Sequence, residues 1–119
     1  MKKIYLAVPY SHPDSAVRVF RFQEVNKVAA KLMCEGNLVF SPISHTHPIA
    51  VAGDLPKGWN YWKDYDKSFI EWADEIYVFM LEGWKESTGV QAEIKLAEDL
   101  GKKVTYIEVQ YVYKTTRIK

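Results

Sequence analysis

The chain has 119 residues, of which 48% are hydrophobic and 26% charged, and its formal net charge is +1. This size predicts one globular domain over residues 1–119 with a single core. The balanced charge provides no long-range field for a nucleic acid polymer or an anionic membrane, so we expect a small-molecule partner instead.

The single cysteine, Cys34, cannot form an internal disulfide, which suits a reducing compartment. The apolar run over residues 4–8 is shorter than the core of a signal peptide and far shorter than a membrane span. We therefore expect a cytoplasmic protein that does not enter a membrane.

The first half of the chain alternates short apolar runs with a long helical pattern. Residues 4–8 are rich in β-branched and aromatic side chains, which predicts a buried strand. After a turn, Pro13 suits the first position of a helix, and helical periodicity continues to Gly36, which is well placed to end that helix. A second strand is predicted over residues 38–40. Residues 41–58 carry three prolines and two glycines, which predicts a long loop.

The second half repeats this alternation. The predicted elements are helices over residues 60–73 and 88–100 and strands over residues 75–81 and 103–109. Thr88, with Gln91 three residues later, has the pattern of a capping box at the start of the last helix, and Gly101 follows its end. Residues 110–119 form a tail that is either flexible or packed against another subunit.

Strands that alternate with helices predict an α/β fold. We expect a three-layer, Rossmann- or flavodoxin-like domain with an open parallel sheet of four to five strands and helices on both faces. Ligands of such sheets bind beyond the carboxyl ends of the strands. The turns over residues 9–12, 42–47 and 82–87 are therefore predicted to converge on one cleft.

Glu93 lies in the middle of an apolar helix face. If residues 88–100 are helical, this face also contains Val90, Ile94, Leu96, Ala97 and Leu100. Burial of a carboxylate costs several kcal/mol unless the group is paired or protonated. Glu93 is therefore a functional group facing the cleft, a carboxylate satisfied by a buried tyrosine or amide, or a residue at the edge of the apolar face.

Several segments carry recognisable motifs, namely Ile4-Tyr5-Leu6-Ala7, residues 66–74, Ser87-Thr88-Gly89-Val90-Gln91-Ala92-Glu93 and Gly101-Lys102-Lys103-Val104. Together they resemble the nucleoside 2-deoxyribosyltransferase superfamily, which includes the 2′-deoxynucleoside 5′-monophosphate N-glycosidases. The motifs Tyr10-Ser11-His12-Pro13 and Ser41-Pro42-Ile43-Ser44-His45 are more closely similar to a family of small uncharacterised bacterial and phage proteins placed beside those enzymes.

The resemblance implies roles for four residues. Glu93 matches the nucleophile that forms a covalent glycosyl-enzyme intermediate, and Tyr5 matches the tyrosine that holds this carboxylate. Asp66 matches an acid that protonates the leaving group or binds the sugar. Ser87 matches the serine that contacts phosphate in the monophosphate hydrolases. The resemblance also implies an enzyme that uses no cofactor or metal and forms a homodimer or larger homo-oligomer.

The residue types alone support this chemistry. Cleavage of an N-glycosidic bond passes through an oxocarbenium-like state, which a carboxylate such as Glu93 stabilises and captures. A hydrogen bond from Tyr5 is expected to keep Glu93 ionised. Ser87 and the amide of Gly89 lie at a helix N-terminus, which binds anions or is simply a helix cap. Asp66 is either the second acid or part of a solvated helix face.

Other residues are weaker candidates for substrate contact. Ser11 and His12 follow the first strand, and Trp84 is either a stacking surface for a base or a packing residue. His45 and His47, with His12 nearby, suggest either a metal site or a histidine that contacts the substrate or protonates the leaving group, of which the second is favoured.

Two further functions are compatible with the pattern. A carboxylate of this kind also cleaves dinucleotides such as NAD. A non-catalytic nucleotide sensor would use Glu93 only to bind ribose hydroxyls. The sequence does not decide between hydrolysis and transfer, because these differ only in whether water or a second base takes the sugar.

Overall fold

The computed structural model describes residues 1–56 and 58–113. In this part of the chain, four strands form one parallel sheet: β1 (Lys3–Ala7), β2 (Leu38–Phe40), β3 (Glu75–Phe79) and β4 (Lys103–Ile107). Their order is β2-β1-β3-β4, so β1 and β3 are the two inner strands. The predicted α/β fold with an open parallel sheet is confirmed.

Helices cover both faces of this sheet. They are α1 (Ser15–Cys34), α2 (Pro42–Gly53), α3 (Trp59–Trp72) and α4 (Thr88–Asp99), and a 3₁₀ helix follows at Val109–Tyr113. Residues of α1 pack in one hydrophobic cluster, and residues of α3 and α4 pack in the other. The fold thus has the three predicted layers. No helix among the described residues is both long and apolar enough to span a membrane.

The alternation of side chains along β1 assigns its residues to the two faces. Ile4 and Leu6 pack with Leu32 and other α1 residues. Tyr5 and Ala7 share the opposite cluster with residues of α3 and α4. Because Tyr5 is one residue out of phase with Ile4, its ring lies on the face that carries α4.

The prediction of a long loop over residues 41–58 is wrong, because residues Pro42–Gly53 form α2. Pro42 occupies the start of the helix, where a missing N–H costs nothing. Pro48 lies inside the helix, a position that usually costs about 3 kcal/mol. The buried side of α2, including Thr46 and Ala50, supplies the compensating packing. Composition therefore misled the prediction.

Several element ends also differ from the prediction. Helix α1 begins at Ser15 after Asp14, whose carboxylate accepts from the N–H of Ala16 at 2.9 Å, and not at Pro13. Strands β3 and β4 each end two residues earlier than predicted. Ends of this kind depend on individual capping contacts, which periodicity does not report.

Part of the predicted tail is folded against α1. The Tyr111 hydroxyl donates to the carboxylate of Glu35, and Lys31 lies 4.9 Å from the centre of the Tyr111 ring. The chain is therefore attached to α1 as far as the 3₁₀ helix. The rest of the predicted tail, residues 114–119, lies outside the described residues.

Packing of α1 on the sheet predicts that alanine substitutions at two adjacent residues have very different effects on the free energy of unfolding. Leu32 is 2% exposed in the core, whereas Met33 is 52% exposed on the same helix. We expect Leu32→Ala to lower the free energy of unfolding by about 2 to 5 kcal/mol, because it leaves a cavity. Met33→Ala is expected to change it by less than about 0.5 kcal/mol. Urea unfolding of both variants checks this, and equal losses would contradict the assigned packing.

Candidate active site

A cavity of about 480 Å³ lies where the segments that follow β1, β2 and β3 meet. These segments are the loop after β1, helix α2, the start of α3 and the N-terminus of α4. The convergence at the carboxyl ends of the strands is the one predicted for a parallel sheet. The volume lies in the range of sites for small molecules and cofactors.

Glu93 lies in this cavity in the second turn of α4, and it is only 5% exposed. The hydroxyl of Tyr5, which is completely buried on β1, donates a hydrogen bond to Glu93 Oε2. The predicted position of Glu93 on a buried helix face is confirmed. Two of the three alternatives for Glu93 apply at once, because its carboxyl group is hydrogen-bonded to a buried tyrosine and also lines the cavity.

Asp66 lies beside this pair. It belongs to α3, is 9% exposed and lines the same cavity, whereas its neighbours Asp64 and Lys67 are exposed. Its carboxyl interacts with the side chains of both Tyr5 and Glu93. The interpretation of this segment as an entirely solvated helix face is wrong at Asp66. We call Tyr5, Asp66 and Glu93 the carboxyl cluster.

Burial determines the protonation of the carboxyl cluster. It raises the pKa of Glu93 well above its ordinary value, and the nearby charge of Asp66 raises it further. The hydrogen bond from Tyr5 lowers the pKa of Glu93 but does not outweigh burial. Burial also raises the pKa of Asp66 to about 6. Burial thus opposes the effect expected of Tyr5, and both shifts favour a pair that shares a proton over a pair of ionised carboxylates.

The N-terminus of α4 faces the same cavity. Ser87, and not Thr88 as predicted, caps this helix, because its hydroxyl oxygen accepts from the N–H of Val90 at 3.1 Å. The first-turn amides of Thr88 and Gly89 have no acceptor within the helix. Ser87, Thr88 and Gly89 all line the cavity, so their donors are available to an anionic group there.

A family model described as "Domain of unknown function (DUF1937)" matches residues 2–109. The chain belongs to the DUF1937 family. The match covers the four strands, the four α-helices and the whole carboxyl cluster. No curated protein matches the chain.

The structure places only some of the other predicted substrate-contact residues of the DUF1937 domain in the cavity. Ser11 lines the cavity, whereas His12, His45 and Trp84 do not. His12 is exposed, and its Nδ1 accepts from the N–H of Asp14 at 3.0 Å. His45 is exposed on α2, and its ring centre lies 6.1 Å from that of Phe40.

Trp84 is a packing residue in this structure. Its ring lies 5.6 Å from that of Tyr106 on β4, away from the cavity. It also packs against the hydrophobic cluster that contains α4. The indole thus serves packing, which corrects its predicted role in substrate contact.

Sequence reasoning overlooked several cavity residues. Tyr10, Trp59 and Trp62 line the cavity, although none of them was selected as a site residue. His47, which was considered only together with His45 as a substrate contact or metal ligand, also lines it. In a helix, His47 shares a buried side with Thr46 and Ala50, and this spacing is the signal that would have identified it.

The helix also separates the two histidines that suggested a metal site. Side chains two residues apart on a helix do not face each other. His45 is accordingly exposed, whereas His47 is buried. Within residues 1–56 and 58–113, no three His, Cys, Asp or Glu side chains are grouped as metal ligands.

Arg21 connects two loops that lead into the cavity. Its guanidinium donates to the carbonyl of Ser11 at 3.1 Å and to the carbonyl of Glu82 at 3.3 Å. Gly83, beside Glu82, has φ +98°, and a Cβ built there would lie 2.7 Å from Arg21 Nη2. Glycine at this position therefore permits both the turn and the contact with arginine.

The raised pKa of Asp66 predicts a pH-dependent stability. Because its pKa is raised, Asp66 binds a proton more tightly in the folded state than in the unfolded state. The free energy of unfolding is therefore highest below about pH 4 and decreases as the pH rises through about 6. We expect Asp66→Asn to remove this loss. Relative to wild type, the variant gains roughly 2 to 3 kcal/mol between pH 4 and pH 7.5.

Urea unfolding at the two pH values measures this gain. Asp64→Asn, an exposed change on the same helix, is the matched control and is expected to track the wild type. An equal pH dependence for wild type and Asp66→Asn would contradict the assigned burial of the Asp66 charge.

The contact of Arg21 with the Gly83 turn predicts an unequal cost for two alanine substitutions. Gly36 and Gly83 have similar positive φ angles, but a Cβ at Gly36 meets nothing within 4 Å. We expect both substitutions to be destabilising through backbone strain, with Gly83→Ala costing about 1 kcal/mol more because it displaces Arg21. Thermal or urea unfolding compares them, and equal costs would exclude a contribution from the arginine contact.

Proposed function

We propose that this DUF1937 domain cleaves the N-glycosidic bond of a nucleoside or nucleoside 5′-monophosphate through a covalent glycosyl intermediate on Glu93. Water or a second base then takes the sugar. The observation that carries this proposal is the carboxyl cluster, in which two buried acids and a tyrosine lie together in a cavity of suitable size. The motif resemblance to the nucleoside 2-deoxyribosyltransferase superfamily supports the same assignment.

The reaction needs a nucleophile and a proton donor, and the carboxyl cluster supplies both. As the bond between C1′ and the base nitrogen breaks, a Glu93 oxygen forms a bond to C1′ and neutralises the oxocarbenium-like charge. The proton held by the two carboxyls passes through Asp66 to the departing base, which leaves neutral. Glu93 is then an ester. Water or a second base attacks C1′, its proton passes to the Asp66 carboxylate, and Glu93 is released as a carboxylate.

The role of Tyr5 follows from its position. Its hydroxyl is fixed by a completely buried strand and donates to the oxygen Oε2 of Glu93. This contact holds one carboxylate oxygen in place and leaves the other to attack. It also stabilises the carboxylate once the proton has left the pair.

A 5′-phosphate is the anionic group that best suits the N-terminus of α4. Ser87 and the amides of Thr88 and Gly89 supply donors without a basic side chain. The indole of Trp59 lies close to Gly89, and Trp62 also lines the cavity, so flat apolar surfaces for a base are near the phosphate donors.

The proposed setting follows from composition and resemblance. A lone cysteine and a net charge of +1 favour a cytoplasmic protein whose partner is a small nucleoside or nucleotide. The resemblance favours a homodimer or larger homo-oligomer.

The decisive test is release of free base from nucleosides, nucleoside 5′-monophosphates and NAD, with and without an acceptor base. We expect the wild type to release base and Glu93→Gln to lose roughly 10³-fold or more in rate. Glu98→Gln, an exposed change on the same helix, is the matched control and is expected to retain full activity. Mass spectrometry of the quenched wild type is expected to find a glycosyl group on Glu93.

Each other outcome identifies a different function. Release of nicotinamide alone would indicate a glycohydrolase of the NAD type. Nucleotide binding without release of any base would indicate a sensor and would refute the proposed chemistry.

A further inference from the structure

His47 and Tyr10 form a second polar pair in the cavity, which the carboxyl cluster does not include. The Tyr10 hydroxyl lies 2.5 Å from His47 Nδ1, and both residues line the cavity. The imidazole also packs against Phe22, with ring centres 4.4 Å apart. Its position is therefore fixed by three contacts: the turn of α2, an aromatic ring and a hydrogen bond.

The surroundings of His47 favour a neutral ring. Burial lowers its pKa, and the positive charge of nearby Arg18 lowers it further. Burial also raises the pKa of Tyr10, so the phenol keeps its proton. A neutral phenol can donate to the unprotonated nitrogen of a neutral imidazole. In that arrangement Nδ1 is the acceptor, and the hydrogen of the imidazole is on Nε2.

The Nε2 atom is available to a ligand. Within residues 1–56 and 58–113, the only hydrogen bond of the His47 side chain is the one to Tyr10. In the same part of the chain, no completely buried side-chain nitrogen or oxygen lacks a partner. Nε2 is therefore not completely buried, and His47 is one of the residues that line the cavity.

We propose that His47, held by Tyr10 in the Nε2–H tautomer, donates a hydrogen bond to an acceptor atom of the substrate's base. That the ligand is a nucleobase rests on the proposed function. Tyr10 is a positioning residue, because it acts through the imidazole.

This donor has a use in cleavage of the N-glycosidic bond. Negative charge accumulates on the ring nitrogens and carbonyl oxygens of the base as its bond to C1′ breaks. The hydrogen bond from a neutral N–H donor to such an atom becomes stronger in the transition state. A donor that is already held in place needs no rearrangement to make this bond. The proton from the carboxyl cluster and the hydrogen bond from His47 thus act on the same leaving group, the first by transfer and the second by charge stabilisation.

Nitrogen NMR of the imidazole rings tests the assignment. The full chain is labelled with ¹⁵N, the Glu93→Gln background keeps the nucleotide intact, and the probes are the four 2′-deoxynucleoside 5′-monophosphates at pH 7.5. We expect His47 to carry hydrogen on Nε2 and not on Nδ1, and Tyr10→Phe to give a mixture of tautomers. A nucleotide is expected to shift the Nε2 signal, whereas 2-deoxyribose 5-phosphate, which has no base, is expected to leave it unchanged.

His45 is the matched control, because it lies on the same helix but outside the cavity. Its signals are expected to stay constant with every probe. An Nδ1–H tautomer, a charged ring at pH 7.5, or an unchanged Nε2 signal with all four nucleotides would overturn the proposal. A shift of Nε2 in a protein that releases no base would support the donor site and refute only the proposed reaction.

Turnover supplies a second test of the same donor. We expect His47→Phe, which keeps a ring but has no donor, to lower kcat/KM for the best nucleotide by roughly 10- to 10²-fold. For 4-nitrophenyl 2-deoxyriboside, whose leaving group needs no donor, the loss is expected to be less than about threefold. An equal loss on both substrates would indicate a structural role for His47 and would overturn its assignment as a donor.

Discussion

The contact between Tyr5 and Glu93 is the constraint on which the site depends. It joins an inner strand, completely buried on both faces, to the second turn of α4. Tyr5 is completely buried and Glu93 is only 5% exposed, so separation would remove the hydrogen bond that satisfies a buried polar group. The two elements are consequently fixed relative to each other at the point where the cavity begins.

Burial of a second carboxyl group, that of Asp66, lowers the free energy of unfolding further. Burial raises the pKa values of both carboxyls, the charge of Asp66 raises that of Glu93 further, and an apolar pair of similar volume would be more stable. A natural sequence that keeps such a pair sacrifices stability for a property of the site. The property retained here is a pair of buried acids that favours a shared proton over two ionised carboxylates.

Sequence reasoning predicted the parts of the molecule that periodicity controls. Helical spacing placed Glu93 on a buried face, and parallel topology predicted the cleft at the carboxyl ends of the strands, whereas the contact with Tyr5 came from the family resemblance. Helix α2 escaped prediction because Pro48 and Gly53 dominate its composition, whereas its stability comes from tertiary packing. His47 was lost with it, since the relation of His47 to Tyr10 exists only when α2 is helical.

The charge of the cavity connects these features. Among the described residues that line it, the charged types are Asp66, Glu86 and Glu93, and neither lysine nor arginine is present. Three ionised acids would repel a phosphate, so the shared proton lowers the cost of admitting an anionic substrate. In the proposed function, donors that carry no formal charge, namely the amides of α4, the Ser87 hydroxyl and the His47 imidazole, contact the anion and the base. The proton leaves with the base as Glu93 becomes a neutral ester, so the net charge of the two carboxyls stays the same through that step.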